Sequence, residues 1–193
     1  MSYKEDYGLD SFTRARILIL LHLEDSQGEK GADILRINKE LRFFQHLTKK
    51  TDIDFSHFNL GDVSDEVRVT VDDFVESGLI EQDSKCKYVL TKEGENAEKE
   101  VQHTYITPDE KKLLRFSKET LNDLSDDELL GFMYFLLPET AEHSRVVERI
   151  NKNKEKIVKS LYEKGKISAK TAADWIGASK RDILDRFGIQ LGM

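Results

Sequence analysis

Cysteine is almost missing from this chain. Cys86 is the only one among 193 residues. That excludes an internal disulfide and any metal site built from several thiolates, and it points to a reducing cytosol. Proline occurs only at positions 108 and 138, so long uninterrupted helices are expected. Apolar runs are short as well. Ile17 to Leu21 falls far below the ~20 residues of a membrane span and reads as a buried helix. The start, MSYKEDYGLD, is acidic and polar, unlike a signal peptide. A cytoplasmic protein without membrane contact is expected.

Catalytic signatures are equally scarce. His22, His46, His57, His103 and His143 are scattered, with no His-x-His or His-x-x-x-His pair to hold a metal. Cys86 has no histidine partner within its sequence neighbourhood. No glycine-rich phosphate loop and no strand-loop-serine elbow occurs. His22, on an apolar helix, reads as a core histidine. The chain is therefore expected not to be an enzyme, and to need neither cofactor nor metal.

Charge is abundant but unevenly placed. The chain is 38% hydrophobic and 35% charged, and its apolar residues cluster, so an ordered fold with a salt-laced helical surface is expected. The net charge of -7 opposes nonspecific nucleic-acid binding. Gly61 to Ile80 holds six acidic residues and only Arg68 as a base. Leu121 to Ser144 holds six acidic residues and no lysine or arginine, whereas Arg145 to Met193 holds twelve basic and six acidic residues. The positive end is the C-terminal one.

Hydrophobic spacing gives the elements. An apolar core helix runs from about Ser11 to Leu23. After a loop with Gly28 and Gly31, Ile34, Ile37, Leu41 and Phe44 recur at helical spacing, widened by Leu35 and Leu47. Asp52 to Gly61 reads as irregular. A third helix starts near Ser64, with Val67, Val71, Phe74 and Val75 on one face, and ends at Gly78. Leu79-Ile80, a turn at Asp83-Ser84, and Tyr88-Val89-Leu90 make a β-hairpin. Thr91 caps a helix reaching about Val101. Thr107-Pro108-Asp109-Glu110 and Ser125-Asp126-Asp127-Glu128 are capping boxes. The second opens a very apolar helix, LLGFMYFLL, that stops at Pro138. Such a helix must be covered, either as the buried centre of a monomer or as a homodimer seam. A further helix runs from Pro138-Glu139, with Val147, Ile150, Ile157 and Leu161 on one face, and Gly165 ends it. Its lysines, Lys152, Lys154, Lys156 and Lys159, read as a solvated face.

The C-terminal stretch KISAKTAADWIGASKRDILDRFGIQL reads as a helix-turn-helix. Ser168 caps its first helix, and Ala172 and Ala173 admit a close crossing. Gly177 supplies the turn, and Ser179, with Asp182 three residues on, caps the second helix. Ile167, Trp175, Ile183, Leu184 and Phe187 form its small core. In such a motif the first residues of the second helix enter the major groove. Lys170, Thr171, Ser179, Lys180 and Arg181 are the candidate DNA contacts, reaching phosphates or guanine edges. The third helix of the N-terminal part carries Asp65, Glu66, Asp72, Asp73 and Glu76, which repel phosphates. A protein-interaction or dimerisation role suits it better; the wing residues Lys85 and Lys87 can touch a DNA backbone but cannot carry binding alone.

Two resemblances extend this reading. GLIEQ…KYVLTKEG looks like the third-helix-to-wing segment of prokaryotic winged-helix proteins, and Leu41 to Gly94 is similar to the YwgA-like and Panacea-like group. YEKGKISAKTAADWIGASKRDIL resembles the small antitoxin-like family found beside PIN-domain toxins. It departs from that family in ending a larger protein and in the acidic Asp174, Asp182 and Asp185. Three segments are expected: a winged-helix domain over 1–101 (three helices plus a β-hairpin), a helical middle over 102–145, and a linker helix with helix-turn-helix over 146–193. The fold expected is mainly α. The resemblances imply a DNA-associated regulator of antitoxin type with a cognate toxin as protein partner, and the apolar helix before Pro138 makes a homodimer the expected assembly. The alternative is a protein-interaction adaptor that never binds nucleic acid.

Overall fold

A computed structural model describes residues 11–187, and the fold is mainly α. The polar start over 1–10 and the last residues of the C-terminal motif lie outside the described residues. The chain divides into two units, one of residues 1–56 and 62–123, the other of 57–61 and 124–193. This division differs from the expected segments. The capping box at Thr107 opens a helix that packs on the second helix of the first unit, so 102–123 belong there.

The first unit is built around α1 (Phe12–His22). The Ser11 hydroxyl accepts from Arg14 N at 3.1 Å and starts it. Every residue from Ala15 to Leu21 is buried, as a helix apolar nearly all round requires. Arg16 is the exception in chemistry, with no solvent exposure at all. Its guanidinium donates through two nitrogens to the Asp52 carboxylate at 2.9 and 2.8 Å and to Glu110 Oε1 at 3.4 Å. It also stacks over the Phe44 ring at 4.9 Å. A buried cation persists only with such partners.

Asp33 caps α2 (Ile34–Thr48), and Ile37, Leu41 and Phe44 face the core, while Ile34, in the first turn, is exposed. The connection expected to be irregular contains two short strands, β1 (Ser56–Phe58) and β2 (Gly61–Val63). Ser64 caps α3 (Asp65–Glu76), whose first turn carries Asp65 and Glu66, the favourable sign at a helix start. Val67, Val71 and Phe74 are buried, but Val75 is 44% exposed and lies off the expected core face. Gly78, at φ +72°, lets Leu79 N turn back to Phe74 O at 2.9 Å.

The hairpin follows as β3 (Ile80–Gln82) and β4 (Tyr88–Leu90), antiparallel with Ile80 opposite Leu90. Asp83 organises its turn, its side chain accepting from the Lys85 and Lys87 backbone nitrogens at 2.8 and 2.9 Å. Tyr88 also exchanges backbone hydrogen bonds with Ala32, from the loop after α1, at 3.2 and 2.9 Å. Thr91 caps α4 (Lys92–Tyr105), and a complete Thr107–Glu110 capping box opens α5 (Pro108–Leu121).

In the second unit the Ser125–Glu128 capping box opens α6 (Asp126–Leu136). Leu129, Leu130, Phe132, Met133 and Tyr134 are buried within the single chain, so no subunit seam is needed to cover this helix. The long helix expected after Pro138 is instead three pieces. Pro138–Ala141 is a 3-10 turn, α7 is Val147–Lys152, and α8 is Lys154–Glu163. Asn153, at φ -97° and ψ 9°, separates the last two. Gly131 lets α6 and α8 approach, since a Cβ there would meet Ile157 Cγ2 at 2.7 Å. Two short helices complete the unit, α9 (Ala169–Ile176) and α10 (Lys180–Arg186).

Candidate functional site

The α9–α10 pair forms as its sequence dictates. The Ser168 hydroxyl accepts from Thr171 N at 3.0 Å and starts α9. Gly177 ends it at φ +76° and ψ 38°, a conformation that any side chain resists. Ser179 then caps α10, its hydroxyl accepting from Asp182 N at 3.1 Å while Ser179 N donates back to Asp182 Oδ2 at 3.2 Å. The turn is short because both caps are satisfied locally. Ala172, Ala173, Ile183 and Phe187 pack with Val158 of α8, with Ile167 and Trp175 alongside. The Leu184 side chain, expected in this core, lies outside what is described.

The five expected contact residues fall into two kinds. Lys170, Lys180 and Arg181 are exposed. Among the described residues none of the three makes an ion pair within 4 Å. Thr171 and Ser179 are committed to the helix ends. The Thr171 hydroxyl lies 2.9 Å from Ser168 Oγ, and the Ser179 hydroxyl donates to Asp182 Oδ2 at 2.7 Å. Sequence reasoning gave Ser179 a phosphate contact as well as the cap, whereas the structure engages it in capping. Hydrogen bonding from Ser179 lowers the Asp182 pKa, so Asp182 stays ionised beside Arg181. Arg186, at the far end of α10, lies 3.7 Å from Glu155.

The first unit presents a contrasting surface. Exposed on α3 are Asp65, Glu66, Asp72 and Glu76 together with Val69, which is 49% exposed, and Val75. Arg68 is held by Asp65 at 3.4 Å. On the hairpin, Lys87 and Lys85 both turn to Glu29, at 2.6 and 3.6 Å. The hydrogen bond from Lys87, followed by the charges of both lysines, lowers the Glu29 pKa. One carboxylate thus offsets one of the two hairpin lysine charges.

The rings of His57 and His143 come within 5.7 Å in the second unit, a pairing invisible in the sequence. Among the described residues no group of three His, Cys, Asp or Glu side chains is placed to hold a metal. The His22 Nδ1 is buried without a hydrogen-bond partner, and the ring lines a small cavity with Glu24, Lys30 and Arg115. Cys86 is exposed in the hairpin turn. No described helix is long and apolar enough to cross a membrane. Comparison with known proteins finds no matching family, no matching curated protein and no matching solved structure.

Proposed function

We propose that this chain is a DNA-associated transcriptional regulator of antitoxin type, acting in the cytoplasm. In this reading α1, α2, α3 and the β3–β4 hairpin form a winged helix. The bridge from Ala32 to Tyr88 supplies the third strand-like contact that a wing uses. The α9–α10 pair is a helix-turn-helix, and its second helix meets DNA. The observation that carries the reading is the start of α10: Lys180 and Arg181 stand exposed directly after the Ser179 cap, with no ion pair within 4 Å among the described residues. Lys170, exposed on the first turn of α9, adds a third cation to the same motif. Free lysines and arginines at a helix start are what major-groove entry and phosphate neutralisation use.

The acidic α3 face, with Val69 and Val75 between its carboxylates, is assigned to a basic protein partner, such as a cognate toxin. A homodimer places two α10 helices on successive major grooves roughly 34 Å apart.

Gel-shift titration over salt tests the proposal. Three phosphate contacts per copy, about six per dimer, give a slope of about -5.4 in log–log form, a loss of about 2,000-fold between about 50 and 200 mM salt. The K180E/R181E variant is expected to lose retardation while keeping its helical circular dichroism. Retardation unchanged by that variant, or absent at low salt, refutes the DNA assignment. The second reading, an adaptor without nucleic-acid binding, is favoured by the acidic α3 and by the Glu29 pairing of both wing lysines.

A further inference from the structure

The second unit contains a cavity of about 590 Å³ lined by residues of α6, the 3-10 turn, α7, the first residue of α8, and α9. That volume lies in the range of small-molecule sites, ~300–1,000 Å³. Its aromatic wall is Tyr134, Phe135 and Trp175. The Trp175 ring meets the Phe135 and Phe132 rings edge-on, at 5.6 and 5.8 Å between centroids. These contacts fix its plane. Tyr134 is fixed too, its hydroxyl 2.7 Å from Ser144 Oγ.

The charged lining is asymmetric. Glu142 and Asp174 contribute carboxylates, and Lys154 contributes one ammonium. Among the described residues neither carboxylate makes an ion pair. Lys154 does not neutralise them, because its ammonium lies over the Phe135 ring, 5.0 Å from the centroid. The wall therefore already accommodates one ammonium group by cation–π attraction. Trp175, the better ring for that interaction, is left with its two carboxylate neighbours.

We infer that this cavity binds a small organic cation, an aromatic or alkyl body bearing one ammonium or amidinium group. The body lies against Trp175, Pro138 and Val147, and the cationic head lies between Glu142 and Asp174. An anion would face two carboxylates that make no ion pair among the described residues, and would meet their repulsion. This inference stands independently of the DNA-binding reading.

Trp175 is the only tryptophan in the chain, so its fluorescence reports on the cavity directly. The full-length protein is titrated with 2-phenylethylammonium and, separately, with its anionic counterpart 3-phenylpropionate. Isothermal calorimetry serves as a second readout. Saturable binding of the ammonium alone is expected. E142Q/D174N should weaken it about tenfold, the sum of two partly screened charge contacts. K154M should strengthen it, because a competing ammonium leaves the aromatic wall. Three results overturn the inference: no saturable signal in either measurement up to about 10 mM, equal or tighter binding of 3-phenylpropionate, or weaker ammonium binding in K154M.

Discussion

Replacing Glu128 should expose how the second unit is fastened. Its Oε2 accepts from Ser125 N and Ser125 Oγ, both at 2.8 Å, which closes the capping box of α6. The same oxygen receives the Lys164 ammonium at 2.7 Å, and Oε1 receives the Ser160 hydroxyl at 2.5 Å. One carboxylate thus ties the start of α6 to α8 and its C-terminal cap. Burial works to raise its pKa, but the hydrogen bonds from Lys164, Ser160 and Ser125 outweigh that and lower it from 4.5 to about 2. A shift of that size corresponds to about 3 kcal/mol of stability, at ~1.4 kcal/mol per pH unit. The Glu128 side chain is only 11% exposed, but Lys164 is 38% exposed, so solvent screening trims the figure to roughly 2–3 kcal/mol.

The sign follows from the depressed pKa. The contribution is complete above pH 4.5 and is lost as pH falls toward 2. E128Q keeps the size and one acceptor but removes the charge. It should lower unfolding free energy by about 1–2 kcal/mol near neutral pH, and E128A by about 3. Urea unfolding followed by Trp175 fluorescence reads the second unit alone, since that unit holds the one tryptophan. The gap between wild type and E128Q should close as the buffer is taken from pH 5 to pH 2. A gap below about 0.5 kcal/mol at neutral pH, within the range of an ordinary surface change, would refute the reasoning. So would a gap that does not depend on pH.

Two further outcomes concern the first unit. Glu40 is fully buried, neither of its carboxylate oxygens has a hydrogen bond, and desolvation raises its pKa to about 7 against the opposing charges of Lys118 and Arg36, with Asp33 and Asp25 adding to the rise. A raised pKa gives stability that is complete below pH 4.5 and fades as pH climbs through 7. The thermal midpoint of E40Q should therefore gain on wild type between pH 5 and pH 8, and a constant offset would contradict this. At Gly94 an added Cβ would lie 2.0 Å from Leu79 O, so G94A should cost at least about 2 kcal/mol in chemical unfolding. A near-neutral G94A would show that α4 and the hairpin start can part there without loss.

Local chemistry was the legible part of this fold. The caps at Ser64, Thr91, Thr107, Ser125, Ser168 and Ser179 were readable because a short polar side chain before an apolar run has few other uses. Gly78, Gly165 and Gly177 adopt the left-handed backbone expected where helices end. What failed to show was long-range pairing. Arg16 sits in an apolar run, and nothing near it in sequence announces Asp52, 36 residues on, or Glu110, 94 residues on. The break at Asn153 was missed because neither proline nor glycine marks it. There Asn153 N hydrogen-bonds to Arg149 O at 3.2 Å and Ile150 O at 3.1 Å.

For the candidate site, the exposure of Lys170, Lys180 and Arg181 follows from their polar helix faces, whereas the engagement of the Thr171 and Ser179 hydroxyls is visible only in the folded turn. Ser and Thr serve both phosphates and helix ends, and a sequence does not display which neighbour a hydroxyl meets. The cavity beside Trp175 escaped notice for a similar reason. A tryptophan at helical spacing reads as core, and one facing both core and solvent has no distinct sequence pattern.

The second unit borrows residues 57–61 from far upstream, and this bears on how the protein can be dissected. The Asn59 carbonyl accepts from Ser144 Oγ at 3.1 Å and from Arg145 N at 3.0 Å. A fragment beginning at residue 124 would lose both bonds, leaving the Ser144 hydroxyl its Tyr134 contact and turning Arg145 N to solvent, at about 0.5–1.5 kcal/mol for each bond. During translation the borrowed pentapeptide leaves the ribosome long before its hydrogen-bond donors, Ser144 and Arg145, are made, so these bonds can close only after residue 145 has emerged. Truncations meant to isolate the C-terminal helices should therefore supply the pentapeptide through a circularly permuted chain.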